Sequence, residues 1–466
     1  MYLRRPSSIL WWASVAVLVS LFFVFPFPLP PFRFLHSPFP FSPLLVCDAA
    51  VVSTSTREGR LTVFDDAWSA INERYYDPRF HGLDWDAQRT TFRSLAAESS
   101  SATDFYAVLR RMIGSLNDPH TRVFAPEEKS DWWHPRFVSI GIAVREIDGL
   151  PTVVQVERES AAQRAGIHAG DVIESINGTP ALSLVKSRLV NSSAATGFQR
   201  FRAFATVTEG PPETSVEIRW KRKDGNERSA EFRRYWQQRD LGLRVHRETN
   251  DYAVIEMDAF TQPIALSFGS YLNDKLKNVR GIIIDLRSNG GGDAEAMADI
   301  ASAFLGDGFS LGQFTDRSGS SFTISTSTKS LITSGRVRRS KVSPGLPLVV
   351  LSSERTSSAA EILIAALRTS SRATIIGTET CGCVLAIRTR HVLPDGGLLD
   401  ISELDYQTSA GVRLEGHSIK PDETVVVERR DLYSGRDRAM ELAIARLKIF
   451  RSRTTPGSQP AVRNFP

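Results

Sequence analysis

The chain is 466 residues long, 42% hydrophobic and 23% charged, with a net charge of +5. This composition excludes a disordered or fibrous chain, and the length calls for two or three domains. The basic residues are spread along the chain, and the one local run, Arg336 to Lys341, reads as a solvated loop, so nothing points to nucleic acid.

Arg4 and Arg5 precede an uncharged apolar run, Ile9 to Phe25, and then the tract "PFPLPPFRFLHSPFPFSP". A positive flank, an apolar core and helix-breaking prolines read as an export signal or a membrane anchor. A buried soluble helix would need a polar face, and the run has none. A lipid-attachment box at Leu44 to Cys47 is weak, because Val46 is bulky where a small residue is needed.

Leu61 to Ala125 reads mostly helical. Phe64, Ala67, Trp68, Ile71 and Tyr75 recur at helical spacing, as do Phe105, Leu109, Met112 and Ile113, and Ser101 to Asp104 is a capped start. From Phe137 to Phe232 the pattern turns to strands. "FVSIGIAVREIDGLPTVVQV" gives two β-rich runs joined at Asp148-Gly149, and "TSVEIRWKRKDGNERSAEFRR" gives a hairpin around Asp224-Gly225. From Asp251 to Glu428 strands and helices alternate. "YAVIEM", "GIIIDLR", "PLVVLSS" and "ATIIG" are strands; "PIALSFGSYLNDKLK", "AEAMADIASAFL" and "AAEILIAALR" are helices. Such alternation implies a covered, mostly parallel sheet. Arg438 to Phe450 forms a last helix. The three cysteines, Cys47, Cys381 and Cys383, give no disulfide framework, and the C-x-C pair lacks the partners of a zinc site.

Serines cluster at the joint of "PLVVLSSERTSSAAEILIAALR". Ser357 or Ser358 caps the helix that follows, or one of them is a nucleophile; strand, turn, serine and helix alone do not separate the two readings.

Five ordered motifs do more. They are "LNDPHT" (Leu116 to Thr121), "SAAQRAGIHAGDVIESING", "DLRSNGGG" (Asp285 to Gly292), "TSSAAEI" (Thr356 to Ile362) and "LEGHSIKPD" (Leu414 to Asp422). The chain resembles the C-terminal processing (tail-specific) serine peptidases with a PDZ domain, over about Arg60 to Leu447. The resemblance implies an α/β, crotonase-like (ββα) protease core, an inserted β-rich PDZ domain and an N-terminal helical segment. The expected boundaries are 1–50 for the signal or anchor, 57–132 for the helical segment, 137–235 for the PDZ domain, 240–430 for the core and 431–466 for the C-terminal helix and tail. It implies Ser358 as nucleophile, with an oxyanion hole from Ala359 and, in the turn Gly290 to Gly292, Gly291. The family's usual general base is a lysine in a T-x-G-K sequence. Here the matching stretch is "TETCGCVLA", and Cys383 stands at the lysine position.

A thiol is not a ready substitute, and Lys420 lies in a segment that the family places elsewhere. The resemblance to the tricorn-type branch implies another base, His120 of "NDPHT", with Glu415 of "LEGHSIKPD" completing the relay. Imidazole titrates near the pH at which a general base is needed. Pro119 stands where that branch carries a serine, and Ser418 where it carries a glycine. His120 as a structural turn residue and Glu415 as a structural acid are the alternatives. The PDZ resemblance implies that Ser139, Ile140, Gly141 and Ile142 hold the end of a peptide added as a strand, and Leu184 to Glu209 is long enough for a flap.

The resulting expectation is an exported serine endopeptidase, periplasmic, membrane-anchored or secreted, with a Ser/His mechanism, no cofactor and no metal. Its partners are proteins or peptides that are unfolded or have accessible C-termini, and any membrane contact runs through the N-terminal segment. The alternative is an inactive PDZ-bearing binding protein on the same fold.

Overall fold

A computed structural model of the chain describes residues 52–189, 197–248, 251–273, 275–276, 278–326 and 342–454, the side chains of 451–454 excepted. The apolar run Ile9 to Phe25 and the loop Arg336 to Lys341 lie outside these residues. The described residues fall in one unit, Val51–Pro466.

Three helices come first: α1 (Arg57–Arg74), α2 (Trp85–Glu98) and α3 (Ala102–Gly114). Each starts on a side-chain oxygen that accepts an otherwise orphaned N–H, from Gly59 to Thr56 at 3.1 Å, from Ala87 to Asp84 at 2.9 Å and from Asp104 to Ser101 at 3.0 Å. Their apolar faces bury Phe64, Ile71, Tyr75, Phe105, Leu109 and Met112 together with Leu385, Leu393 and Leu399, so the N-terminal helices close over a distant part of the chain.

Strand β1 (Arg122–Phe124) follows, then β2 (Arg136–Ser139), β3 (Ile142–Ile147) and β4 (Leu150–Val156). Two strands were expected from Phe137 onward; there are three, because Gly141 at φ +87° turns the chain between β2 and β3. The β3–β4 hairpin turns at Asp148-Gly149 with both residues at positive φ, the twist that two-residue hairpins favour. The inserted unit continues with α4 (Ala161–Arg164), β5 (Val172–Ile176), β6 (Thr179–Pro180), α5 (Ala181–Leu189), α6 (Gly197–Ala205), β7 (Ser215–Lys221) and β8 (Glu227–Arg233). Its sheet runs β3-β4-β5-β7-β8, which leaves β3 at an edge with α6 beside it. Strand β9 (Tyr235–Gln238) pairs antiparallel with β2, so a two-stranded ribbon carries the unit in and out of the core.

The core sheet takes β10 (Leu243–Glu248), β11 (Tyr252–Met257) and β12 (Gly281–Asp285), with α7 (Gln262–Asn273) between the last two. After α8 (Ala294–Leu305) come the hairpin β13 (Ser310–Asp316) and β14 (Ser321–Ser325), then β15 (Leu348–Ser352), α9 (Ala359–Thr369) and β16 (Thr374–Gly377). Short strands β17 (His391–Val392), β18 (Leu398–Asp400), β19 (Leu404–Gln407) and β20 (Glu423–Thr424) precede α10 (Arg429–Ser434) and α11 (Arg438–Thr454). The main sheet runs β10-β11-β12-β15-β16-β20, parallel except for β10.

Side-chain alternation explains the layers. Ala253, Ile255, Ile282, Ile284, Leu348 and Val350 face α7, α8 and α9, while Val254, Ile283, Val349 and Leu351 face α11. Each such Val, Leu or Ile side chain contributes about 1.5–3 kcal/mol on full burial. Both faces are thus dry, and the loops at the carboxyl ends of β12 and β15 are what the sheet leaves for a ligand.

Candidate active site

The loop from β15 to α9 is stitched to the loop after β12. Thr356 Oγ1 donates to Leu286 O at 2.8 Å, Ser353 Oγ to Arg287 O at 2.6 Å, and the N–H of Ser357 to Asn289 O at 3.2 Å. Ser358 then opens α9 at φ +57° and ψ −126°. A side chain is strained in that region, and the strain persists only where neighbours hold the backbone there. Three contacts do so: the N–H of Ser358 donates to Cys383 O at 2.7 Å and to Glu361 Oε2 at 3.2 Å, and Gly291 packs against it. A Cβ on Gly291, itself at φ +94°, would stand 2.6 Å from Ser358 Cβ and 3.1 Å from its Oγ. The Ser358 side chain makes no cap hydrogen bond, so capping does not occupy the hydroxyl.

Asn289 organises the glycine turn. It is fully buried, its Nδ2 donates to Met257 O at 3.1 Å, and its Oδ1 accepts the N–H of Gly291 at 2.8 Å. The N–H of Gly291 is therefore engaged, whereas those of Gly290 and Ala359 make no hydrogen bond among the described residues. Glu361, also fully buried, accepts from Thr380 Oγ1 at 2.5 Å and from the N–H groups of Gly382 and Cys383 at 2.7 and 2.9 Å. Burial nevertheless pushes its carboxyl up to about 7.

Glu415 Oε2 accepts from Val384 and Leu385 N–H at 2.6 and 3.1 Å, so it braces the same loop one residue further on. Burial raises it to about 7, and the charges of Asp118 and Glu361 add to the rise. Asp118 reaches the other way. Its Oδ1 accepts the N–H of His120 at 2.8 Å and lies 3.9 Å from His120 Nδ1, while its Oδ2 accepts from Thr121 Oγ1 at 2.5 Å. The His120 side chain is 16% exposed, its Nδ1 is buried without a hydrogen bond, and burial pulls its pKa below 6.5 while Asp118 opposes. His120, Asp118, Glu415 and the Cys383 loop thus form one neighbourhood that runs through backbone contacts to Ser358. No hydrogen bond joins His120 to Ser358 among the described residues.

The cysteines correct the sequence reading. Cys381 and Cys383 are joined in a disulfide, both sulfurs buried, so the lysine position holds no free thiol. Lys420 is exposed on the turn before β20, where its carbonyl accepts from Arg368. In the inserted unit Ser139, Ile140 and Gly141 are buried and Ile142 is half-buried. The N–H of Gly141 already donates to Ser139 Oγ at 2.9 Å. The segment expected as a flap takes in the end of α5 and all of α6, and Gln199 of α6 donates to Asn117 Oδ1 at 2.5 Å, three residues before His120.

Comparison with known proteins decides the kinship. The model of peptidase family S41 matches residues 251–425, that of the Tricorn protease C1 domain 57–114 and that of a PDZ domain 138–197. Carboxyl-terminal-processing peptidase 3, chloroplastic, of Arabidopsis thaliana is 28% identical over 377 residues, 77% of this chain and 67% of that one. Residues 251–425 are a peptidase family S41 domain. The C-terminal processing peptidase, chloroplastic, of Tetradesmus obliquus is 26% identical, over 80% of this chain and 79% of its own. Among solved structures, mature CPAF shares the fold with a TM-score of 0.64 at 13% identity, covering 86% of this chain and 99% of that one.

The sequence pointed to loops that the structure brings together around Ser358 and left out the residues that shape them. Asn289 lies inside "DLRSNGGG", Glu361 inside "TSSAAEI" and Asp118 inside "LNDPHT". Each reads in the sequence as motif context, because a buried carboxylate or amide is told from a surface one only by the partners folding brings. The C-x-C spacing did carry a disulfide signal, a ring too small to count as a framework.

Proposed function

We propose that this S41 serine-type peptidase is an endopeptidase in which Ser358 is the nucleophile and His120, rather than a lysine, takes its proton. The observation that carries this reading is the backbone of Ser358: a serine at φ +57°, at the start of a helix, with Gly291 packed on its Cβ. A hydroxyl so placed stands where helix N–H groups and the dipole favour an oxyanion. Ala359 supplies one donor. The glycine turn supplies the other, and Gly291, the part of it in contact with Ser358, must release Asn289 Oδ1 to do so.

The case for His120 rests on chemistry at the lysine position. Sulfur bound in a disulfide can neither accept nor hold a proton there. The imidazole is neutral at pH 7 because burial lowers its pKa, which is the form a base needs. Asp118, at 3.9 Å, would orient it, and Glu415 would act through the loop Val384–Leu385 and through its charge beside Asp118. The attack forms a tetrahedral intermediate; the imidazolium then protonates the leaving amine, and water hydrolyses the acyl-enzyme by the reverse sequence.

Substrates are proteins or peptides held as an added strand on the free edge of β3. We further propose export, on the apolar run Ile9 to Phe25 and on relatives whose names place them in the chloroplast. Wild type and Ser358→Ala compared on an unstructured polypeptide test the central reading. Cleavage should fall at least about 10³-fold in the variant; equal turnover would refute it.

A further inference from the structure

A cavity of about 870 Å³ opens between the PDZ domain and the core. One wall is β3 and α6, through Ala143, Arg145, Arg200 and Phe201; the other is the carboxyl ends of β11, β12 and β15, including Glu354 and Arg355. It is large enough for several residues of a peptide. Arginines crowd it, but most are neutralised. Arg244 pairs with Glu256 and Asp258 at 3.0 and 2.8 Å, Arg287 with Asp285 and Asp437 at 2.6 and 2.8 Å, and Arg200 with Glu146. Arg355, three residues before Ser358, differs. Its guanidinium makes no hydrogen bond or ion pair with any described residue. Glu354 and Asp258 are near enough to favour its charge, yet burial and the like charges of Arg145 and Arg239 depress it to about 10. Arg145 is only partly served: its Nη1 donates to Val144 O at 2.8 Å, its guanidinium sits over the Phe201 ring at 4.5 Å, and its Nε is 3.6 Å from Glu354.

We propose that Arg355, with Arg145, is a binding site for a carboxylate carried by the peptide that lies along β3. An unpaired guanidinium in a partly desolvated cavity is stabilised by an anion, and its fork matches a carboxylate in two parallel bonds. Because the cavity is continuous with the open edge of β3, the anion that arrives there belongs to an extended peptide. The carboxylate is the chain end or an Asp or Glu side chain. The site would let the residues next to the nucleophile sense what the PDZ domain holds. This inference rests on the reading that the β3 edge feeds Ser358.

The test measures binding, so that it stands apart from catalysis. In full-length Ser358→Ala protein, fluorescence anisotropy compares three ten-residue labelled peptides: one with a free C-terminal carboxylate, the same peptide amidated, and the amidated peptide with one glutamate. At least one carboxylate-bearing peptide should bind about tenfold more tightly than the neutral amide, and which one does so identifies the source. Arg355→Gln should bring that preference to within about twofold, and Arg145→Gln should reduce it. The proposal is overturned if the parent shows no preference, or if both variants keep it in full, which would assign recognition to the Ser139–Ile142 loop. Failure of the Ser358 reading would show separately, as cleavage of the peptides by the Ser358→Ala protein.

Discussion

Two groups at the site have pKa values displaced by burial, in opposite directions. His120 is held below 6.5 by burial, and Glu415 is raised to about 7 by burial and by its acidic neighbours. The base must be neutral to accept a proton, so kcat/KM should rise with pH through the His120 transition, below 6.5. If the Glu415 charge helps orient the relay, a second rise sits near 7. In Glu415→Gln only the lower limb should remain; in His120→Gln turnover should drop about 10²–10⁴-fold with both limbs gone. An acid limb unchanged in both variants would assign the base elsewhere. For stability the signs are separate. The raised pKa of Glu415 favours the fold fully below about 4.5, and that contribution fades as pH climbs through 7. The depressed His120 favours the fold above 6.5 and loses that contribution as pH falls.

Between residues and fold stands the pairing of two elements, the glycine turn after β12 and the start of α9. Gly291 sits at φ +94° with Ser357 O 3.0 Å from where a Cβ would be, in addition to Ser358 Cβ at 2.6 Å. Gly291→Ala should therefore fold with a melting temperature lowered by several degrees and lose at least about 10²-fold in kcat, read by steady-state kinetics beside a thermal melt. Full activity in that variant would remove the turn from the site. The same elements show what local sequence could reveal. "GIIIDLR" and "PLVVLSS" were legible as strands because both faces are buried, so no polar alternation interrupts them. "ATIIG" and the Asp-Gly hairpins were legible for equally local reasons. By contrast β13, β14 and the two- to four-residue strands β17 to β20 are rich in Gly, Ser and Thr or very short. Their pairing is set by partners as distant as Phe314 and Tyr406, and no window along the chain contains both.

At the scale of the molecule the attachments of the PDZ domain lie far apart along the chain. The β2–β9 ribbon joins it to the core, and α10 holds its far turn. Arg429 Nε donates to Gly170 O at 3.0 Å, its Nη2 donates to Tyr433 Oη at 2.7 Å, and the Tyr433 ring lies 2.6 Å from where a Cβ on Gly170 would be. Short polar "AGDV" and "RRDLY" do not disclose that contact, since 259 residues separate Gly170 from Arg429. Replacing both Arg429 and Tyr433 by alanine should split one calorimetric unfolding transition into two as the PDZ domain uncouples. A single transition of unchanged midpoint would show that α10 does not couple them.

The Cys381–Cys383 bridge gives the peptidase an internal clock. Its sulfur-bearing residues are only 3% and 4% exposed. Once a small phosphine has cleaved the bond, each thiol can be alkylated only when the segment beside Ser358 swings open. The rate of iodoacetamide labelling, followed by intact mass, thus times that opening, and it should be far slower in native buffer than in denaturant.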